Sequence, residues 1–423
     1  MITPSFALTA TERVLPSMAL DFTTASLDSR VTFTRSGNTA TVVNSSGLIA
    51  TINANLPRFD FDPVTLACKG LLIEEARTNL LTYSNDFSNV IWNKNSSSIT
   101  SSAITSPDGT VNASKLVEAA ATAEHTVNRS TPVAIVAGSS NTLSIFAKKG
   151  ERTAIELFYV NNTYTSGVRF RFNLTAGTVG SAIISGTASG TSATITNYGN
   201  DWYKCSVTAI VDALSVAANF NIALFDGSST FYTGNGTSGA FIYGAQLEAG
   251  GFGTSYIPTV ASQVTRTADV ATMTGTNFSN WYNASEGAFV ASAVIARQSS
   301  AGATAIFSAN DNTNANLINC FYRASGALGA NIFASSISQL DQTQLGITAA
   351  NVIVNTGVAY KLNDSVSYAN ATVQTSDTSV TVPTINQLQL GFTPTGAYLN
   401  GYVRNLRFYK QRILNAEGQA FSK

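Results

Sequence analysis

The feature that most restricts this chain is a two-residue hydrophobic period that recurs in short runs. In Ile155-Glu-Leu-Phe-Tyr159 and Val168-Arg-Phe-Arg-Phe172 the apolar side chains fall on one face and the polar ones on the other, as in half-buried strands. Val31-Thr-Phe-Thr34, Ala240 to Leu247 and Asn219-Phe-Asn-Ile-Ala-Leu-Phe225 read the same way. Turn signals separate the runs, among them Ser36-Gly-Asn38, Asn44-Ser-Ser-Gly47 and Pro107-Asp-Gly109, where Pro presets φ and Gly accepts a positive one. One short helix is expected near the C-terminus, with Asn415 as N-cap, Glu417 in its first turn and Gly418 weakening it. The fold class is therefore all-β and antiparallel.

Length and charge narrow the reading further. A chain of 423 residues exceeds one small core and calls for two or three domains. Its 24 basic and 24 acidic residues give a net charge of +0, and only 11% of residues are charged. That is no electrostatic footprint for nucleic acid or an anionic membrane. Three widely spaced cysteines, Cys68, Cys205 and Cys320, imply no disulfide framework. The first residues carry neither a basic segment nor a long apolar run, so no secretory signal is read there. No run is long enough for a membrane-spanning helix.

The chain divides by pattern into three parts. Residues 1–69 hold a proline-containing arm, to about residue 16, and a small β attachment region. Residues 70–268 form a first antiparallel sandwich, with Leu71 to Ile73 and Ala240 to Glu248 read as its neighbouring opening and closing strands. Residues 269–423 form a second sandwich, and a fragment starting near Asp269 is expected to fold alone.

Several separated motifs resemble one another's counterparts in a known group of proteins. Pro57-Arg-Phe-Asp-Phe-Asp-Pro63, Gly70-Leu-Leu-Ile-Glu74, Arg77-Thr-Asn-Leu-Leu81, Gln246-Leu-Glu248 and Thr254-Ser-Tyr-Ile-Pro-Thr259 resemble, in that order, tailed-bacteriophage fibre or spike proteins. That resemblance implies a carbohydrate-binding-like jelly roll in residues 70–268 and a homotrimer. Gly401-Tyr-Val-Arg-Asn-Leu-Arg-Phe-Tyr409 and the helix after it resemble the end of a laminin-G or concanavalin-like sandwich.

Residues able to carry chemistry are few. The one histidine, His125, rules out a two-histidine metal site within the chain. Gly234-Asn-Gly-Thr-Ser-Gly239 matches a dinucleotide fingerprint, but a strand pattern follows it where a helix is needed, so it reads as a turn. Asp60 and Asp62 share a strand face and read as a solvated edge; Glu74 and Glu75 point to opposite faces. Asn310-Asp-Asn-Thr-Asn314 is rich in oxygen yet lacks the glycine and glutamate of a calcium loop. The hairpin Tyr159-Val-Asn-Asn-Thr-Tyr164 offers rings and amides for a sugar, with Tyr159, Asn161, Asn162 and Tyr164 as the binding candidates. Glu248, flanked by Ala245, Leu247 and Phe252, is expected to be buried and paired with Arg77 or Arg266.

These readings point to a virion structural protein that adheres to a host surface glycan without catalysis. No cofactor and no metal are expected. The partners are other virion proteins, met through the N-terminal region, and host polysaccharide. The protein would be assembled in the host cytoplasm. A capsid decoration protein without a ligand and a glycan depolymerase stay open as alternatives.

Overall fold

The computed structural model describes residues 15–295, 303–323, 325–344 and 351–423. Its regular secondary structure is nearly all β-strand, in antiparallel sheets. Two β-sandwiches result, but their division of the chain is not linear.

The inserted sandwich is built from strands between Trp92 and Ala249. One sheet runs Ser189–Asn197, Trp202–Ile210, Asn141–Lys148, Gly239–Ala249, Val111–Glu118, Ser97–Thr105. The other runs Thr178–Val179, Gly167–Asn173, Ala154–Asn161, Ala217–Phe225, Thr126–Arg129, Trp92–Asn95. Leu143, Ile145, Val207 and Ile242 of the first meet Leu157, Phe170, Phe220 and Ile222 of the second in one core.

The framing sandwich is assembled from both ends of the chain. In one of its sheets, Met18–Asp21 and Cys68–Ile73 both pair with Gly401–Tyr409, which also pairs with Glu286–Val294. In the other, Thr32–Thr34 pairs with Val270–Thr274. Met18, Leu20, Phe22, Phe33, Leu71 and Ile73 are buried in the same core as Phe289, Phe307 and Phe408.

The expected separate unit over residues 1–69 is thus corrected. A few short strands cannot bury enough surface alone: Met18–Asp21, Thr32–Thr34 and Cys68–Ile73 join the C-terminal sheets, while Ala40–Val43 and Ile49–Ile52 pair with each other and Ile49 packs on the inserted sandwich. The proposed arm lies almost wholly outside the described residues. The expected pairing of Leu71 to Ile73 with Ala240 to Glu248 is corrected for the same reason. The contact is made one strand later, where the Leu80 amide donates to the Leu247 carbonyl at 2.8 Å. Gly70 explains its place in the first motif: its φ is +122°, and a Cβ there would collide with the Val403 carbonyl of the adjoining strand.

The C-terminal helix spans Asn415–Phe421, with Leu414 rather than Asn415 at its N-cap. Glu417 reaches back and accepts from the Leu414 amide at 2.9 Å, half of a capping box. Gly418 costs helix propensity but lets the Tyr368 ring pack where any Cβ would stand.

Candidate functional site

The motif residues that sequence reading singled out converge on the joint between the sandwiches. Arg35, Arg58 and Arg266 are buried there with Glu74, Asp269 and Glu248. Arg58 forks between Glu74, at 2.8 Å, and Asp269. Arg266 stands 3.4 Å from Glu74, and Arg35 stands 3.2 Å from Asp269. Ser255 donates to Glu74 through its amide at 2.9 Å and its hydroxyl at 2.7 Å. Burial alone would raise the Glu74 carboxyl, but Arg266 and Arg58 hold it far below the usual carboxylate range. Asn79 ties the segments together, donating to the Ile257 carbonyl at 2.9 Å and accepting from the Leu247 amide at 3.2 Å.

Glu248 is buried as expected, but its bonding partner is not an arginine. Its carboxylate accepts from the Thr254 amide at 2.9 Å and the Thr254 hydroxyl at 2.5 Å. Arg77 pairs with Glu75 instead, and Arg266 with Glu74. Two local donors on the turn after the strand satisfy the carboxylate before a guanidinium is needed. Glu248 still supplies the third negative charge against three buried arginines.

A cavity of about 70 Å³ lies beside this network, lined by Asp60, Glu74, Lys204, Tyr256 and Tyr402. At roughly 10–15 Å³ per water, it has room for a few solvent molecules and not for a sugar ring. Asp60 points into it and is buried, so the solvated edge expected for Asp60 is corrected. The Tyr402 hydroxyl donates to it at 2.8 Å and the Val43 amide at 2.6 Å. Burial pushes its carboxyl up, against the pull of Lys69 and these donors. Asp62 caps a turn through the Val64 and Thr65 amides.

The other sequence candidates resolve into structure. His125 is buried, with one ring nitrogen 2.6 Å from the Ser96 carbonyl and the other 3.3 Å from that of Tyr232. The Gly234 to Gly239 stretch is a turn into the strand Gly239–Ala249. Asp311 spends its oxygens on Thr313 and Asn316. Among the described residues no group of three or more His, Cys, Asp or Glu could hold a metal ion.

One polar face of the inserted sandwich turns away from its core, although Phe158, Glu156, Thr126, Ala223 and Asn128 on it are themselves buried. Because Val168, Phe170, Ile155, Leu157, Phe220 and Ile222 turn inward, their neighbours turn out. Register then sets Arg169, Phe158, Asn221, Asn128 and Asn93 in one row across four strand pairings. Arg171, Glu156, Ala223, Thr126 and Asn95 form the next. Glu156 is buried and holds Arg169 at 3.2 Å and Arg171 at 3.1 Å. The two guanidinium groups lie over Phe158 and Phe225, at 3.9 and 4.5 Å from the ring centres. Their side chains stay 33% and 41% exposed, so donors remain toward solvent. Asn95 donates to the Asn128 oxygen at 2.9 Å. The Asn221 oxygen is buried with no partner. Arg169 and Arg171 against Glu156 and Glu124 leave the face without net charge.

The predicted hairpin borders this face, though only half of its candidates reach solvent. Tyr159 is in the core, and burial pushes its hydroxyl's pKa far up. Asn161 is buried, accepting from the Thr165 amide at 2.9 Å and the Ser166 amide at 3.2 Å, which fixes the turn. Both are corrected as ligand residues. Asn162 and Tyr164 are exposed, and the Tyr164 ring packs on Phe158 at 6.4 Å. Sequence reading missed Arg169, Arg171 and Asn221. The same alternation that marked their apolar neighbours was the signal for them.

No family model and no curated protein matches the chain. Among solved structures, a mutant of the NanB sialidase from Streptococcus pneumoniae aligns at 15% identity and a TM-score of 0.29, over 35% of this chain and 26% of that one. The CBM40 of the Ruminococcus gnavus IT-sialidase aligns at 10% identity and 0.29, over 33% and 84%. Domains LG4-5 of the mouse laminin α1 chain align at 8% identity and 0.24, over 65% and 84%. At such TM-scores these likenesses carry no weight for function, and none of the three links the chain to phage fibres.

Proposed function

We propose that this protein binds a neutral glycan on the outer face of its inserted sandwich, without turnover. The observation that carries this reading is the row Arg169, Phe158, Asn221, Asn128 across four strands, with partly exposed guanidinium groups and an Asn221 oxygen that has no partner. A sugar presents hydroxyl donors for that oxygen, hydroxyl acceptors for the outward guanidinium donors, and C–H faces for Tyr164. The lack of net charge favours hydroxyls over a carboxylate or sulfate. Glu156, held by two guanidinium groups, is poorly placed to act as an acid or base.

The motif resemblance supplies the setting: a phage fibre or spike subunit, homotrimeric, on the virion surface, adhering to host polysaccharide. Weak single contacts repeated over three copies would give useful avidity. Met18–Asp21, Thr32–Thr34 and Cys68–Ile73 are consumed by the framing sandwich, so attachment to other virion proteins needs a different surface or the residues before 15.

The test is a glycan array probed with the full chain and with Asn221→Leu and Arg171→Gln. Losing one hydrogen bond to the charged Arg171 costs about 1.5–3 kcal/mol, roughly tenfold to a hundredfold in affinity, and losing one to the neutral Asn221 about 0.5–1.5 kcal/mol. Unchanged binding by both variants overturns the site. Shortening of the captured glycan overturns binding without turnover.

A further inference from the structure

We propose a second sugar-binding site, a cleft on the outer face of the framing sandwich; it shares with the reading above only the class of ligand. The strands Leu317–Arg323 and Leu328–Ala334 turn Ile318, Cys320, Ala330 and Ile332 into the core. Asn319, Asn331 and Phe333 are thereby sent to the other side, with Asn319 directly opposite Asn331. The segment around Thr393 to Ala397 forms a wall beside them. It is held by the Asn314 amide donating to the Thr395 hydroxyl at 2.9 Å, and by the Ala305 amide donating to the Ala397 carbonyl at 3.3 Å. The cleft between measures about 250 Å³, near the lower end of ligand pockets at roughly 300 Å³, which suits one ring and not a longer chain.

The cleft specifies its ligand by what lines it. Asn319 is only 7% exposed, and its side-chain oxygen is buried with no hydrogen-bond partner. An orphaned acceptor of that kind is costly unless a donor fills the space in front of it. The rest of the lining is amide, hydroxyl and hydrocarbon, from Asn314, Asn331, Thr393, Thr395 and Phe333. Among the described residues no ionisable side chain lines it, and Arg323 and Asp341 at its edge are paired with each other at 3.0 Å. The Phe321 ring is capped by the Arg323 guanidinium at 4.9 Å. Among the described lining residues the half-buried Phe333 ring is the aromatic platform left for C–H groups. A hydroxyl donor, several hydroxyl acceptors and one apolar face, all neutral, describe a pyranose ring. With the first face, the site would make each chain bivalent for glycan.

Saturation-transfer NMR on the full chain, with the methyl glycosides of glucose, galactose, mannose and N-acetylglucosamine, tests this. At least one glycoside should bind, and Asn319→Leu, which fills the space and removes the acceptor, should weaken it at least tenfold. Phe333→Ala, at a half-exposed position, should do the same, and it decides the matter if Asn319→Leu melts early. Asn221→Leu should leave this signal in place. If no glycoside binds, or if binding survives both cleft variants, the proposal falls. Loss of all binding in Asn221→Leu, with the cleft variants unaffected, overturns this site while sparing the first. Loss in the cleft variants alone supports this site, and the glycan array decides the first face separately.

Discussion

Replacing Arg58 by methionine would remove the centre of the joint while keeping most of the side chain's volume. The wild-type guanidinium contacts Glu74 at 2.8 Å, the Ser255 hydroxyl at 2.8 Å and Asp269 through a second edge, with no exposure to solvent. Without it, the two buried carboxylates keep as cations only Arg266, at 3.4 and 3.9 Å, and Arg35, at 3.2 Å, beside the neutral donors of Ser255 and the Glu74 amide. Breaking a buried pair by deleting one partner costs about 3–5 kcal/mol. For a cooperative unit of this size, roughly 2–4 °C per kcal/mol makes that a fall in Tm of about 6–20 °C. Differential scanning calorimetry at pH 7 would measure it. Arg58→Lys should recover part of the loss, because one ammonium cannot fork between two carboxylates. The pH dependence supplies an independent check. Glu74's carboxyl is depressed in the folded state, so its contribution is full above the ordinary carboxylate pKa of about 4.3 and fades as pH falls below it. Arg58→Met weakens the depression, so the gap between variant and wild type should narrow only once the pH falls below the variant's own, less depressed carboxyl pKa. A fall under about 3 °C at pH 7 would refute the electrostatic account of the joint.

Further outcomes are expected at other sites. A fragment beginning at Asp269 should fail to fold, because it loses the buried Met18, Leu20, Phe22, Phe33, Leu71 and Ile73. At about 1.5–3 kcal/mol each, those side chains outweigh or match a typical total stability of roughly 5–15 kcal/mol; a cooperative melt from that fragment would contradict the framing topology. Residues 76–267 alone should fold, since they hold both sheets of the inserted core, and a flat near-UV circular dichroism spectrum would count against it. Asp60→Asn should raise stability most at alkaline pH. Its carboxyl pKa is raised by burial, so the wild type is favoured below its ordinary pKa and loses that advantage as pH rises through the folded value; melting curves from pH 4 to 9 that run parallel would exclude this.

Much of the fold could be read from local pattern, and what could not was non-local. Alternation in Val168 to Phe172 and Ile155 to Tyr159 marked both strands and their buried sides. It also held the correction to the ligand assignment, since Tyr159 is in phase with the core residues Ile155 and Leu157. The partners of each strand were another matter. Nothing local in Met18–Asp21 says that it pairs with Gly401–Tyr409, so the N-terminal strands read as a free-standing region. The row Arg169, Phe158, Asn221, Asn128 exists only through register between four strands, and no single segment displays it. The motifs behind the family resemblance were legible, but their role was not: Arg58, Glu74, Asn79, Gln246 and Ser255 meet in a buried joint and hold the two sandwiches together.

The most direct measurement is a crystal structure of the full chain soaked with a glycan that the array identifies. Density for a sugar over Arg169, Asn221 and Asn128, with a hydroxyl within hydrogen-bond distance of the Asn221 oxygen and the glycosidic bonds intact, is the result predicted. Sugar density confined to another surface, leaving that face to solvent alone, would contradict it.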